Sequence, residues 1–547
     1  MDGKTAIAKV LKMEGTSFVT CFPMNPVLDA LALEGIRLIT ARTERVAMGI
    51  ADGYTRASFG AKNGVCMVQT GPGSENTFAA VAQAYADSVP VLFMPGGYGR
   101  RQQRRPQFVA RNSYREIGKW VDMVPFADQV PVMLRRAFTY LRTGRPGPVV
   151  LEVPMDVMQE HFEDGVFSYS PVRGRKAAGD PRDIERVAKG LLKAERPIIR
   201  AGNGILYAQA WDELRQFAEL LGAPVFTTMQ GKGAFPENHP LSLGAGGRTR
   251  PKMVMDFLSR ADLVFAIGSS CTIEPFTTNL PPGKRLIQST IDEIDLGKDY
   301  PLEDAVLGDA RLILLQLIEV VKKAIGRAGR KGHGSLAREI GSCKDQWLRE
   351  WMPKLTSDEV PINPYRVVWE LNRALDKDKS ILIPDSGGPR DQTVPFYEVI
   401  VPGGFIGWGK TTTLGSSLPF AMGAKLANPD KIVVNIMGDA SIGMTGFDLE
   451  TASREAIPIL TIILNNGRFG GYRKTQPIAT ERFNIDRCGG EYAKIAEAMG
   501  LHSERISEPN EIAPAIERAK EVTEKGRPAF IEIMTRVDTD YSFYDDD

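Results

Sequence analysis

Two short runs of β-branched and aliphatic residues, 432–437 and 459–464, flank a segment of helical character at 447–454. Runs of this length with a helix between them make a βαβ unit, whose two strands lie parallel. That commits the region to an open α/β sheet with both strands ending at one edge, the edge at which such sheets bind ligands. Gly438, Asp439, Ala440 and Ser441 leave the first strand there, and Asn465 and Asn466 leave the second. Magnesium takes one or two hard ligands from a protein and fills its octahedron with phosphate and water, so the Asp439 carboxylate and the Asn466 amide suffice. Gly438 and Ala440 let backbone amides approach phosphate oxygens, and the Ser441 hydroxyl adds a donor. Asp, Asn and Gly are also common in strand-to-loop turns, so the weight lies in the two ends taken together.

A chain of 547 residues is too long for one core, and three domains are expected. Strand-like runs at 65–68, 91–94 and 149–153 alternate with helical stretches through a first domain, 1–170. The polar passage SYSPVRGRKAAGDPRD reads as a linker to a second domain, 185–340, with buried-strand candidates at 197–201, 224–227 and 263–267. The segment 330–364, charged and then Pro-rich, reads as a second bridge before a third domain, 358–547. The fold class expected is α/β, three doubly wound domains with parallel sheets.

Lys and Arg number 68 against 67 Asp and Glu, a formal charge of +1 that gives no global attraction to nucleic acid or membrane. The clearest local charge run is Arg100, Arg101, Arg104 and Arg105, suited to an anionic substrate or to CoA phosphates, or else a solvated loop face. Cys21, Cys66, Cys271, Cys343 and Cys488 are scattered without a CxxC, which fits a reducing cytoplasm. The N-terminal stretch MDGKTAIAKVLKMEG has the spacing of an amphipathic helix rather than of a signal peptide, and no stretch reaches membrane-spanning length.

The GDAS opening and the closing NN, with the second Asn 27 positions after the Asp (466 minus 439), resemble the signature of thiamine diphosphate-dependent enzymes. The resemblance is to the superfamily of acetohydroxyacid synthase, pyruvate decarboxylase and benzaldehyde lyase, nearest the acetolactate synthase large subunits, and it covers nearly the whole chain. It implies a pyrimidine-binding, a central and a diphosphate-binding domain, with Mg2+ held by Asp439, Asn466 and the carbonyl of Arg468. Ala440 stands where Gly is commoner in relatives, a difference of one methyl. TARTERVAMGIADGYTRASFG resembles the family's glutamate motif and makes Glu44 the carboxylic acid that protonates ring nitrogen N1′ of the coenzyme. A glutamate opening a helix also interacts favourably with the macrodipole, the commoner reason for one there.

The loop QTGPGSEN resembles the GPG loop of the same pocket, which makes Gln69 and Asn76 contacts of substrate or cofactor. Asn25 falls where relatives carry a substrate-discriminating residue. In GWGKTTTLGSSLPFAMG, alignment on Leu418-Pro419 sets Leu414 as the apolar wedge that bends the coenzyme and the carbonyl of Thr412 against its 4′-amino group, although TTT replaces a more Gly-rich pattern. Gly387 and Gly388 follow a strand and are expected near the diphosphate. Arg473 and Lys474, in the stretch after Asn466, are candidates for an anionic substrate under a mobile cover or are ordinary surface-loop residues. Relatives of this kind are homodimers or homotetramers with the coenzyme across a subunit interface, and some carry FAD or a nucleotide in the central domain. Here Gly202-Asn203-Gly204 after a strand leaves that question open.

The four histidines, His161, His239, His333 and His502, include no adjacent pair, so the paired histidines of pyruvate decarboxylases are missing. The post-NN loop lacks the Trp with which acetolactate synthases select oxo acids. The missing histidine pair disfavours simple decarboxylation of a 2-oxo acid to an aldehyde, and the resemblance implies acetolactate synthase-like carboligation or decarboxylation of a 2-oxo acid. A lyase of 2-hydroxy ketones or 2-hydroxyacyl-CoA, and a catalytically inert cofactor-binding homologue, are the alternatives.

Overall fold

The computed structural model describes residues 1–23, 25–102, 107–330 and 332–543. Arg104 and Arg105 of the basic run, and the acidic end 544–547, lie outside the described residues. Arg100 of that run is held by Asp156, at 2.8 Å, and by Glu160, at 3.2 Å.

Three parallel sheets follow one another along the chain. The first holds β1 (Phe18–Cys21), β2 (Arg37–Thr40), β3 (Val65–Val68), β4 (Leu92–Gly97), β5 (Trp120–Met123) and β6 (Val149–Pro154) in the order β2-β1-β3-β4-β6-β5. The second holds β7 (Pro197–Ala201), β8 (Val225–Thr227), β9 (Ser242–Ala245), β10 (Leu263–Ile267), β11 (Arg285–Thr290) and β12 (Asp304–Leu307), ordered β12-β11-β10-β7-β8-β9. The third holds β13 (Ser380–Pro384), β14 (Ile432–Gly438), β15 (Leu460–Asn465), β16 (His502–Ile506) and β17 (Ala529–Met534), ordered β13-β14-β15-β17-β16. Helices cover both faces, so the central strands are apolar on both sides: β15 is buried along its whole length. The βαβ unit expected around Asp439 is present, with Val434 of β14 paired to Leu460 and Gly438 to Leu464.

The outer two domains share a continuous core that includes Val46, Ile50, Trp408, Phe420, Val433 and Ile463. Its centre is the contact between helices Glu44–Ala57 and Ser417–Ala427, where glycines bring the two backbones together. A Cβ on Gly53 would fall 2.4 Å from the Phe420 carbonyl oxygen, and one on Gly423 would fall 2.1 Å from that of Ile50. Gly49, Gly53 and Gly423 are thus required by proximity, not by backbone angle.

The segment read from sequence as a bridge contains the helix His333–Leu355, although Pro353 lies inside its last turn. Trp347 of this helix stacks on Phe396 with ring centroids 4.8 Å apart, and Trp351 packs on Tyr365 and Phe396. The end of the described chain is laced to the same region. The Ser542 carbonyl accepts from the Arg250 amide at 2.9 Å, and its hydroxyl donates to the Arg250 carbonyl at 2.7 Å. The Trp347 indole N–H donates to Ser542 Oγ at 3.3 Å, and the Tyr365 hydroxyl donates to the Asp540 carbonyl at 2.7 Å.

Candidate active site

β2 leads through a short turn into helix Glu44–Ala57, with Thr43 as its N-cap accepting from the Val46 amide at 3.3 Å. Glu44 is 4% exposed, and Asn76 Nδ2 donates to its Oε2 at 3.1 Å. Asn76 stands in the first turn and a half of helix Pro72–Ala86, reached from β3 through Gly71 at φ +68°. Two hydroxyls of this loop, Thr70 Oγ1 and Ser74 Oγ, are buried without a hydrogen-bond partner among the described residues. Buried hydroxyls left unpaired in this way are free to meet a polar ligand. Gln69 is half-buried over Gly73, near the same loop. Asn25 is tied to the end of β3, directly before Gln69: its Nδ2 donates to the Val68 carbonyl at 3.3 Å and its Oδ1 accepts from the Val27 amide at 2.9 Å.

The turn before Glu44 is bound to the C-terminal domain. The Arg42 amide donates to Asp448 Oδ1 at 2.8 Å, Thr43 Oγ1 donates to Asp448 Oδ2 at 3.3 Å, and the Arg45 guanidinium donates to the Leu414 carbonyl. Burial raises the Asp448 carboxyl above its ordinary range, against the lowering effect of these hydrogen bonds. The loop carrying Thr412 and the half-buried Leu414 is fixed on both sides: Thr411 Oγ1 donates to Gln83 Oε1 at 2.5 Å, and the Gly415 amide donates to Asp385 Oδ1 at 3.1 Å.

At the other sheet, Asp439 opens helix Asp439–Thr445 at the end of β14 and is 2% exposed. Its Oδ2 accepts from the Asn466 amide at 3.0 Å and its Oδ1 from the Tyr492 hydroxyl at 3.2 Å. Asn466 Oδ1 accepts from the Arg468 amide at 3.0 Å, which curls the segment so that the Arg468 carbonyl follows closely. The isolated bridge from Arg468 to Arg487 uses bonds of its neighbours, Cys488 N to Gly467 O and Phe469 N to Asp486 O, so it does not consume that carbonyl. Burial raises the Asp439 carboxyl, and it raises the Tyr492 phenol with Asp439 adding to the effect. A divalent cation would reverse the cost to Asp439, so this oxygen-rich donor set fits magnesium chemistry. Among the described residues no trio of His, Cys, Asp or Glu is grouped for a metal, so an ion here would depend on Asp439 with amide and carbonyl oxygens.

Gly438 caps the Asp439 helix without a side-chain bond, and Ala440 follows half-buried. Ser441 Oγ donates to Asp385 Oδ1 at 2.6 Å. Asp385, fully buried at the end of β13, also accepts from Ser417 Oγ at 2.6 Å and from the Ser417 amide at 3.0 Å. It therefore ties the Leu414 loop to the Asp439 turn, a role the sequence reading missed because an Asp after a strand looks like any turn residue. Tyr492 was missed because it lies 53 positions from its partner. Gly387, at φ +84°, and Gly388 form the turn into helix Gly388–Phe396. Arg473 and Lys474 sit apart from these groups, exposed on the short helix Tyr472–Thr475, with Arg473 facing Asp486 at 3.6 Å.

The central domain contributes a cavity of about 480 Å³. It lies beyond the carboxyl ends of β7 and β10, where the strand order reverses, the position at which doubly wound sheets take nucleotides. Gly202-Asn203-Gly204 and Gly268 pass so closely there that a Cβ on Gly202 would meet the Gly268 oxygen at 2.2 Å. Gly409 and Lys410, at the head of the Leu414 loop, line the same cavity. Burial lowers the Lys410 ammonium to about 8, with Arg145 and Lys298 adding to the effect.

Three models of one family match in succession along the chain. The N-terminal TPP binding domain of thiamine pyrophosphate enzymes matches residues 1–117, the central domain 184–317 and the C-terminal TPP binding domain 385–533. The chain belongs to the thiamine pyrophosphate enzyme family. Among its relatives, a probable acetolactate synthase large subunit of Methanococcus aeolicus is 30% identical over 95% of this chain and 90% of its own. A glyoxylate carboligase of Escherichia coli O157:H7 is 30% identical over 98% of this chain and 93% of its own. The acetolactate synthase large subunit of Corynebacterium glutamicum is 30% identical over 98% and 87%.

Proposed function

We propose that the protein is a thiamine diphosphate- and magnesium-dependent carboligase or decarboxylase that accepts a 2-oxo acid, as the names of its relatives suggest. The observation that carries this reading is the pairing of a buried Glu44, gripped by Asn76, with a buried Asp439–Asn466 turn at the end of a parallel strand. Thiamine diphosphate, when bound, supplies the carbon nucleophile and the electron sink. Glu44 holds a proton at the aminopyrimidine ring, and Asn76 keeps its carboxyl oriented. Leu414 and the Thr412 carbonyl would contact the coenzyme, while Asp439, Asn466 and the Arg468 carbonyl would hold Mg2+, with Gly438, Ala440 and Ser441 alongside for the diphosphate.

The site is completed by a second copy of the chain. Phe78 and Tyr85 on the Asn76 helix, and Met444 and Phe447 beside the Asp439 helix, are large apolar side chains left 39%, 45%, 49% and 66% exposed. Such surface near both half-sites is suited to burial between subunits. The five cysteines are unpaired, as a reducing cytoplasm would keep them, and no described helix is long and apolar enough to cross a membrane. The central cavity suits a nucleotide or FAD.

Calorimetric titration with thiamine diphosphate and Mg2+, followed by product analysis with pyruvate and glyoxylate, tests the reading; a protein that binds no coenzyme refutes it. Cleavage of a 2-hydroxyacyl thioester of CoA is the second reading, favoured by Gly409 and Lys410, which place the nucleotide-sized cavity next to the coenzyme loop. Formation of an aldehyde and a shorter acyl-CoA from a 2-hydroxyacyl-CoA supplied in place of the oxo acids decides for it.

A further inference from the structure

One buried cation near the coenzyme loop is incompletely satisfied. Arg390, in the first turn of helix Gly388–Phe396, is 3% exposed. Its Nε and Nη2 both lie 2.9 Å from Asp391 Oδ1, while its Nη1 is buried without a hydrogen-bond partner among the described residues. That nitrogen lies 3.5 Å from the point a Cβ on Gly409 would occupy, two residues before the Thr411 that Gln83 holds. The guanidinium carbon stands 4.8 Å from the centre of the Phe276 ring, and Arg248 approaches the same ring at 6.0 Å. The Tyr541 hydroxyl lies 3.8 Å from the Cβ position of Gly388.

A charged donor in a dry site is costly without an acceptor, and native proteins rarely leave one so. Asp391 uses one edge of the planar fork and neutralises its charge; Nη1 remains for a second oxygen, and Arg248 provides the second positive charge. The gap at Gly409 is narrow, since the same Cβ would also come within 2.3 Å of Met229 Cε. A group that satisfies Nη1 must be small and must carry an acceptor oxygen.

We propose that Arg390, assisted by Arg248, receives the carboxylate of the carbonyl substrate and so sets the preference of the site for an anionic 2-oxo acid over a neutral aldehyde. This rests on the reading of the active site above and adds a specificity contact to it. Asp391 holds the guanidinium in plane, and Phe276 supports its face.

The test uses the full chain saturated with thiamine diphosphate and Mg2+. Arg390→Met is expected to lower the ratio of kcat/KM for pyruvate or glyoxylate to that for benzaldehyde about 10- to 100-fold, chiefly through KM of the oxo acid. Arg390→Lys should recover part of that ratio, and Arg248→Met, at an exposed position, should lower it several-fold even where Arg390→Met folds poorly. Coenzyme affinity, read from tryptophan fluorescence quenching, separates this inference from the underlying reading. An equal loss toward anionic and neutral substrates overturns the inference alone. Wild-type protein that binds the coenzyme but shows no calorimetric signal with either oxo acid overturns the inference together with the 2-oxo acid assignment, leaving the coenzyme reading in place. Wild-type protein that fails to bind the coenzyme removes both.

Discussion

Among the described residues the Glu44 carboxylate has one hydrogen-bonded partner, Asn76, and a position at a helix start that needs no carboxylate for capping, because Thr43 already serves. Glu44→Gln should therefore leave the fold and thermal midpoint unchanged while lowering kcat of the coenzyme-saturated enzyme on the order of 10²–10⁴-fold, as loss of a general acid does. Circular dichroism and steady-state rates on one preparation check both halves. Tyr492 makes a different kind of contact, a hydroxyl behind Asp439. Supporting partners of metal ligands are worth roughly 10–100-fold in affinity or activity, so Tyr492→Phe should raise the Mg2+ concentration for half-maximal activity by about tenfold or more. An unchanged Mg2+ titration would assign Tyr492 to packing. Sequence pointed to Asp439 and Asn466 through their places at two strand ends, and to Glu44 through the likeness of its helix start to the family's glutamate motif. It could not reach Asp385, Tyr492 or Arg390, whose meaning comes from partners brought close only by folding.

The strands named from sequence start within two residues of the observed ones, since runs buried on both faces are continuously apolar, as β14 and β15 are, whereas half-exposed strands such as β2 and β5 were not named. The helix His333–Leu355 was not, because its charged face and Pro353 imitate a linker; Trp347 and Trp351 were the apolar signal that mattered. The helix pair Glu44–Ala57 and Ser417–Ala427 gives a sharp mutational contrast. Gly53→Ala or Gly423→Ala inserts a methyl into a backbone contact and should destabilise by about 1–3 kcal/mol. Gly341→Ala, in a helix with nothing within 4 Å of the new methyl, should be neutral or stabilising by up to about 1 kcal/mol. Urea midpoints distinguish the two classes. Asp448, which joins the Glu44 turn to the other domain, gives a pH signature. Its folded-state value lies above its ordinary 3.8, so its stabilising contribution is complete below about 3.8 and is lost as pH rises through the raised value. Asp448→Asn cannot ionise, and the stability gap should shift toward the variant across that window and then level off; urea midpoints from pH 4 to 8 showing a shift toward wild type would contradict the sign.

At the scale of the whole molecule, an active site divided between two chains can be rebuilt from two defective ones. Glu44→Gln and Asp439→Asn proteins, each inactive, should after dissociation and random reassociation regain about a quarter of wild-type activity, because half the dimers are mixed and each has one intact site of two. Mixtures that stay inactive would place both groups in a site made by one chain. The three-domain α/β plan was readable from the rhythm of strands and linkers, whereas the joining of the outer domains through one core was not, since it depends on glycines that leave no apolar pattern. The lacing of Ser542 to Arg250 and Trp347 has a practical consequence of its own. A protease that nicks the chain just after β17 would unfasten a buckle between the middle and last domains, leaving Trp347 and Arg250 without those partners, so carboxyl-terminal trimming should register as loosened domains before any loss of the sheets themselves.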